Sequence, residues 1–477
     1  MVLAHTQTGN RVHLDDETIQ SFESTLHGEM IRPSDDNYNE ARVVWNGMID
    51  KHPSLIVQCQ STQDVQHAVN FARNNNLLLA VRGGGHNVAG TAVCDSGLVI
   101  DLSRMRDVHV NPEERTATVQ GGATWADLDN ATQAHGLAAP GGLVSKTGVA
   151  GLTLGGGFGW LRNKFGLSCD NLIGAEVVTA DGSIVRASDT ENNDLLWGLR
   201  GGGGNFGIVT TFEFRLHEVG PEVMLAFVLH DGAGDKMKHA LQFWRDFMAQ
   251  APDEVSSLSS CGIVPPDEMF PKDVHGKHFV LFAAMYAGDA EEGRKVLQPF
   301  IDYGEPLVNF SDVMPYVEVQ QMFDEDYPDG IRYYWKSLNL MRLNDEVIDR
   351  IVKHAPNQPS VLTTTDLWHI GGAVKRVGTD ESAFFGRDAA FLLNPEANWE
   401  GAANDDVNIR WVQEFIADME EFSDGSRYLN FAGFQEEGEA MMKSSFGRQY
   451  QRLVELKTKY DPYNLFSLNQ NIKPAKA

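Results

Sequence analysis

The sequence predicts an α+β fold of two domains, with a C-terminal segment that returns to the first. Three observations predict it. Short apolar strands alternate with helical patterns from Pro53 to Leu216. The glycines, 46 of the 477 residues, crowd into clusters between Gly83 and Gly207 instead of repeating at a fixed period. After Gly220-Pro221 longer strand candidates separate helices, and only Gly371-Gly372 interrupts them. The boundaries read 1–217, 218–424 and 425–477, the middle unit being an antiparallel sheet covered by helices.

Residues 1–50 read as an N-terminal segment with one helix, Asp15 to His27. Leu55 to Cys59 is a short strand, and Ser61 caps a helix from Thr62 to Asn74 whose Val65, Ala68, Val69 and Ala72 share one face. Leu77 to Arg82 and Leu98 to Leu102 are buried strands, Ala117 to Gly121 another, followed by a helix from Thr124 to Gly136. Ala180-Asp-Gly-Ser183 reads as the turn of a hairpin. Asp194 to Leu199 is a short helix and Phe206 to Leu216 a strand. In the second domain the strands are Val223 to Leu229, His278 to Tyr286 and Tyr333 to Leu340. Its helices are Asp235 to Met248, Ala290 to Phe300 and Asp345 to His354.

A formal charge of −27 counts against nucleic acid and anionic membranes as partners, because such a surface repels polyanions. Four scattered cysteines form no CxxC pair, which argues against a zinc site or a disulfide framework. No signal-peptide pattern opens the chain, and no apolar run reaches the ~18 residues of a spanning helix. The expected location is a reducing cytoplasm.

Three glycine motifs carry the chemistry. In Val81-Arg82-Gly83-Gly84-Gly85-His86-Asn87 a strand runs into three unhindered backbone N–H groups, a pattern that suits a diphosphate nest and equally a plain turn. Gly148 to Asn171 holds seven glycines within residues 148–166, which argues against a regular helix or strand. It suits backbone pressed on a flat ligand, or a tight glycine-packed turn. Arg200 to Gly207 admits a GxGxxG reading, but a helix precedes it and a strand follows. A dinucleotide fingerprint needs the reverse order, so an NAD-type dehydrogenase is disfavoured.

Together with Trp197 to Val209, Gly371-Gly-Ala373, Tyr428-Leu-Asn430 and Lys459 to Phe466 followed by Asn469-Gln-Asn471, these motifs resemble the berberine-bridge-enzyme-like branch of the vanillyl-alcohol-oxidase flavoproteins, in its mono-covalent bacterial-type form. The resemblance implies a two-lobed PCMH-type FAD-binding domain and a substrate domain whose sheet roofs the flavin ring. It implies FAD bonded through its 8α-methyl carbon to His86. Arg82, Gly83, Gly84, Gly85, Asn87, Gly148, Gly151, Gly155, Gly156, Gly157, Asn171, Gly207, Ile208, Val209, Asn469 and Asn471 would line the cofactor. Doubly linked members carry a Cys where this chain has Val144, so a single link is expected, with Cys169 a small buried residue.

The resemblance makes Tyr428 the candidate base, with its pKa lowered and Asn430 positioning it. Asn394, five residues before Trp399, would orient substrate, and His369 is a third candidate, set against a structural role. Asp324, Glu325 and Asp326 read as a solvated acidic loop. Trp335, Trp368 and Tyr334 either wall an aromatic pocket or pack in the core. The implied activity is hydride abstraction from a small organic substrate (alcohol, sugar, phenol or alkaloid-like metabolite), with electrons returned to O2. The alternatives are an oxidative-cyclising tailoring enzyme and a flavin-binding protein without turnover.

Overall fold

A computed structural model describes residues 2–378, 380–433 and 438–475. In the first lobe, strands order as Glu29–Ile31, Leu55–Gln58, Leu98–Asp101 and Leu79–Arg82. The last three run parallel, which requires crossovers. Helix Thr62–Asn74 supplies one, its N-terminus held by Ser61 Oγ accepting from Asp64 N at 3.2 Å. The second lobe is a five-stranded antiparallel sheet, Ile184–Ser188, Leu172–Val178, Ile208–Arg215, Thr116–Gln120 and Val108–Asn111.

The middle of the chain forms a nine-stranded antiparallel sheet. Strand His278–Tyr286 shows why its sequence reads as continuously apolar. Val280, Phe282, Ala284 and Tyr286 meet the helices, while Phe279, Leu281, Ala283 and Met285 join the cluster on the opposite face. Period two thus distributes apolar residues to both sides of a sheet covered on both. Helices Asp235–Met248, Ala290–Ile301, Asp345–His354 and Asp405–Met419 cover one face. The other face turns to the two lobes, with Phe158, Trp160 and Leu167 packed against it.

Several expectations change. The glycine-dense stretch contains two short helices, Val149–Leu154 and Arg162–Phe165, so its glycines sit mostly at helix ends and turns. Tyr333 to Leu340 is broken into Arg332–Trp335 and Leu338–Leu340. The N-terminal segment carries a hairpin, Val2–His5 with Arg11–Leu14. Strands Val255–Ile263, Thr364–His369 and Phe391–Trp399 add three adjacent members of the large sheet. Asp324 is tied rather than free, accepting from Ser145 N at 2.7 Å and Ser145 Oγ at 2.5 Å. All four cysteines are buried and unpaired. Among the described residues no helix is long and apolar enough to cross a membrane.

The C-terminal segment packs on the lobes through Met442, Phe446, Leu453, Leu456 and Ile472. Its clamp is Lys457, which donates to Asp461 at 2.6 Å, Asn205 O at 2.8 Å and Phe466 O at 2.9 Å. Both charged side chains are fully buried. Removing one partner strands the other charge in the interior, so Lys457→Ala should cost about 3–5 kcal/mol in urea unfolding. A loss within experimental error would show that the clamp does not hold the segment.

Candidate functional site

A cavity of about 300 Å³ opens where the two lobes, the large sheet and the C-terminal segment meet. Its floor is backbone. Gly83, Gly84 and Gly85 follow strand Leu79–Arg82 into the wall, and Gly148, Gly151 and Gly155 come from the second glycine cluster. The two loops touch. A Cβ on Gly84 would meet Gly148 Cα at 2.6 Å, and one on Gly148 would meet Gly84 Cα at 2.7 Å. Only a residue without a side chain permits that approach on both strands of contact. Gly201 to Gly204 and Gly207, Ile208 and Val209 supply another edge.

His86 stands in this wall. Its ring stacks on Trp45, centroids 4.2 Å apart, and its Nε2 is buried without a hydrogen-bond partner. Burial lowers its pKa to about 4, so the imidazole is neutral at physiological pH and keeps a free lone pair on one nitrogen. Trp45 and Asn46 belong to the N-terminal segment and carried no signal in the sequence. Asn46 donates to Val88 O at 2.8 Å and Tyr333 O at 2.9 Å, tying the His86 loop to the large sheet.

Asn87, Asn469 and Tyr428 line the cavity as well. Tyr428 Oη accepts from Gly157 N at 3.0 Å and Asn430 Nδ2 at 2.8 Å. Full burial outweighs these donors and raises its pKa to about 12. Among the described residues no cation stands beside it to lower that value, and the other expected cause, the hydrogen-bond field of a flavin, belongs to the cofactor-bound protein.

Other candidates stand outside the lining, each for a physical reason. Arg82 lies in register with Asp101, and its guanidinium binds that carboxylate at 2.9 Å and the carbonyls of Ala41 and Val43. Asn171 donates to Phe165 O and Leu167 O and contacts His217 Nε2 at 2.7 Å, fastening its own loop. Gly156 and Gly157 support the loop from behind, Gly157 through Tyr428. Asn471 lies beyond the lining with Oδ1 unpartnered. His369 bonds Asn163 at 3.2 Å, and burial lowers its pKa to about 3. In its strand Asp366 and Trp368 take the cavity side, which leaves His369 with Leu367 on the other.

The large sheet contributes what sequence reasoning missed. Antiparallel register sets Asp366 opposite Asn394, and Glu396 opposite both Thr364 and Trp335. Opposed residues point to one face, so Asp366, Trp368, Glu396 and Trp335 all enter the wall. Tyr334, one residue before Trp335, packs among the helices. Asp366 accepts from Ser260 Oγ at 2.6 Å, and Glu396 from Tyr327 Oη at 2.7 Å and from Asn394 Nδ2. Burial raises both carboxyls, Asp366 to about 6 and Glu396 well above the carboxylate range, and Asp366 adds to the shift on Glu396. The polar alternation Asn394, Glu396, Asn398 between Leu393, Pro395 and Ala397 was the available signal.

Residues 53–188 match the family model of an FAD binding domain, and residues 427–473 that of berberine and berberine-like proteins. The chain is similar to an FAD-linked oxidoreductase of Dictyostelium discoideum, 32% identical over 462 residues that cover 96% of this chain and 97% of the other. Among solved structures it is similar to 6-hydroxy-D-nicotine oxidase from Arthrobacter nicotinovorans. There the TM-score is 0.85 at 28% identity, over 94% of this chain and 98% of that one. It is also similar to glucooligosaccharide oxidase from Acremonium strictum, described with a 6-S-cysteinyl, 8α-N1-histidyl FAD. That match has a TM-score of 0.84 at 25% identity, over 96% and 100% of the two chains.

The acid pair has a pH signature. Asp366 titrates near the ordinary aspartate value of 3.8 when unfolded and at about 6 when folded. Between those values the folded state binds more protons, so stability falls as pH rises through the window. Urea unfolding from pH 4 to 6 should show Asp366→Asn losing less stability than the parent over that range. Parallel pH profiles would contradict the buried, proton-holding pair.

Proposed function

We propose, from the premise that the chain belongs to the berberine-bridge-like FAD-linked oxidoreductases, that it is an oxidase carrying FAD on a single histidyl bond through His86. The neutral, unpartnered imidazole in a glycine-floored wall carries this reading. The residues fit the cofactor on several counts. Gly151 and Gly204 line the cavity, and a Cβ on either would project into space clear of protein atoms. Such backbone lets a flat dinucleotide approach closely. The open N–H groups of the Gly83–Gly85 turn would hold its diphosphate, and Asn469, lining the wall with Oδ1 unpartnered, would meet its edge.

A single bond is supported by the remaining thiols and by position 144. Val144 lines the cavity where a second link would need a thiol. Cys169 is fully buried, contacts Asp170 at 3.6 Å, and is held protonated by burial; a protonated thiol is a poor nucleophile.

When bound, FAD supplies a two-electron hydride acceptor. The protein's part is to hold the substrate and to take a proton. Tyr428, protonated and fixed by Gly157 and Asn430, donates a hydrogen bond into the site rather than accepting a proton. Asp366, raised by burial to about 6 and still ionised at neutral pH, is the proton acceptor in reach of the same cavity, beside a Glu396 that burial holds protonated. With FAD bound, O2 would take the electrons, and the substrate would be a small organic molecule.

Acid precipitation of the parent beside His86→Ala tests the link. The parent pellet should stay yellow, and the variant should release its flavin or lack it. A yellow supernatant from the parent, or a yellow pellet from the variant, would overturn the assignment.

A further inference from the structure

We infer that a second cavity, apart from the one holding His86, binds an organic phosphate monoester, with the phosphate on Lys164, Arg200 and Arg215 and the carbon part on Phe165, Ala373 and Val377. The two linings share no described residue. The second cavity measures about 320 Å³, at the low end of small-molecule sites, which run to roughly 300–1,000 Å³.

Local structure brings the cations together. Arg215 closes strand Ile208–Arg215 and His217 opens the next, His217–Glu218. Leu216 between them is buried in the second lobe, so the alternation of an extended chain turns Arg215 and His217 the other way, into the cavity wall. Arg200 follows helix Asn193–Leu199, and Lys164 and Phe165 come from helix Arg162–Phe165. Helix Gly372–Arg376 of the middle domain supplies Ala373 and leads into Val377. The cavity therefore lies at the junction of the second lobe and the substrate domain.

Each cation keeps donors for a ligand. Arg215 is exposed, and its guanidinium has no hydrogen-bond or ion-pair partner among the described residues. Arg200 gives Nε and Nη2 to Leu172 O at 2.9 and 2.8 Å, which leaves Nη1. Lys164 gives one of its three hydrogens to Ala287 O at 2.6 Å. Of the two acids in the lining, Asp170 is taken by Arg387, which binds both its oxygens. Glu381 accepts from Gly378 N at 3.0 Å. Outside the lining, Glu254 and Asp189 stand 3.7 Å from Lys164 and Arg200, beyond hydrogen-bond range.

His217 reports the field these groups leave. Burial, then the charges of Arg215 and Lys164, lower its pKa to about 4. Three cations with open donors on one concave wall suit a dianion with several acceptor oxygens better than a carboxylate, which has one charge and two oxygens. The rest of the wall is apolar. Phe165 stacks on His217, centroids 4.0 Å apart, and Ala373 and Val377 complete that side. A bare ion would leave it wet, whereas the carbon part of a monoester covers it.

Calorimetric titration of the flavin-loaded protein at pH 8 tests this with phenyl phosphate, a dianion there because its second ionisation falls at about 6. Inorganic phosphate, benzoate and anisole are the comparators, and phenyl phosphate should bind at least about 10-fold more tightly than each. Arg215→Ala should weaken that binding about 10-fold and Arg215→Glu should abolish it. Both variants should keep the parent's melting temperature, since the side chain is exposed and unpartnered among the described residues. Arg410→Ala, exposed on helix Asp405–Met419 at the far face of the large sheet, should bind as the parent does. Binding of anisole, benzoate or inorganic phosphate as tight as that of phenyl phosphate would overturn the inference. So would an affinity for phenyl phosphate unchanged in Arg215→Glu.

Discussion

The contact between Gly84 and Gly148 is the constraint on which the cavity depends, because each Cα occupies the space the other's side chain would need. With that contact in place, two loops from different lobes form one continuous backbone surface. His86 follows directly after it, and the helix Val149–Leu154 starts on the other side. The turn therefore orients both a nucleophilic side chain and the backbone beside it. Trp45 stacks on the imidazole and also on Tyr333, centroids 3.7 Å apart, which carries the position of His86 across to the large sheet.

That sheet supplies the other half of the site through a simple alternation. One face buries its apolar residues under four helices, while the opposite face presents acids and aromatic rings in adjacent rows. Buried carboxylates weaken a fold unless something compensates them. Asp366 and Glu396 have only neutral partners, Ser260, Tyr327 and Asn394. Burial accordingly raises Asp366 to about 6 and holds Glu396 protonated, and the C-terminal clamp at Lys457 lies where the segment carrying Asn469 returns to the wall.

Much of the frame was legible in the sequence, since it rests on local patterns. The helices Thr62–Asn74, Asp235–Met248 and Asp345–His354 coincide with their expected spans, because each has an apolar stripe and defined ends. The glycine motifs pointed to His86 for the same reason. Strand Val255–Ile263 escaped because six of its residues are Ser, Cys or Gly, and Phe391–Trp399 because Pro395 interrupts it. With those strands unread, the register that sets Asp366 beside Glu396 could not be seen. Arg82 looked like part of a phosphate loop. Its partner, Asp101, lies on the neighbouring parallel strand, a long-range pairing that local spacing does not carry.

Mass spectrometry of proteolytic peptides from the purified, flavin-loaded protein tests the central claim most directly. The peptide containing His86 should carry the added mass of FAD, with fragment ions that place it on His86, and the peptides containing Cys169 and Val144 should be unmodified. An unmodified His86 peptide with flavin elsewhere, or with none attached to the chain, would contradict the account.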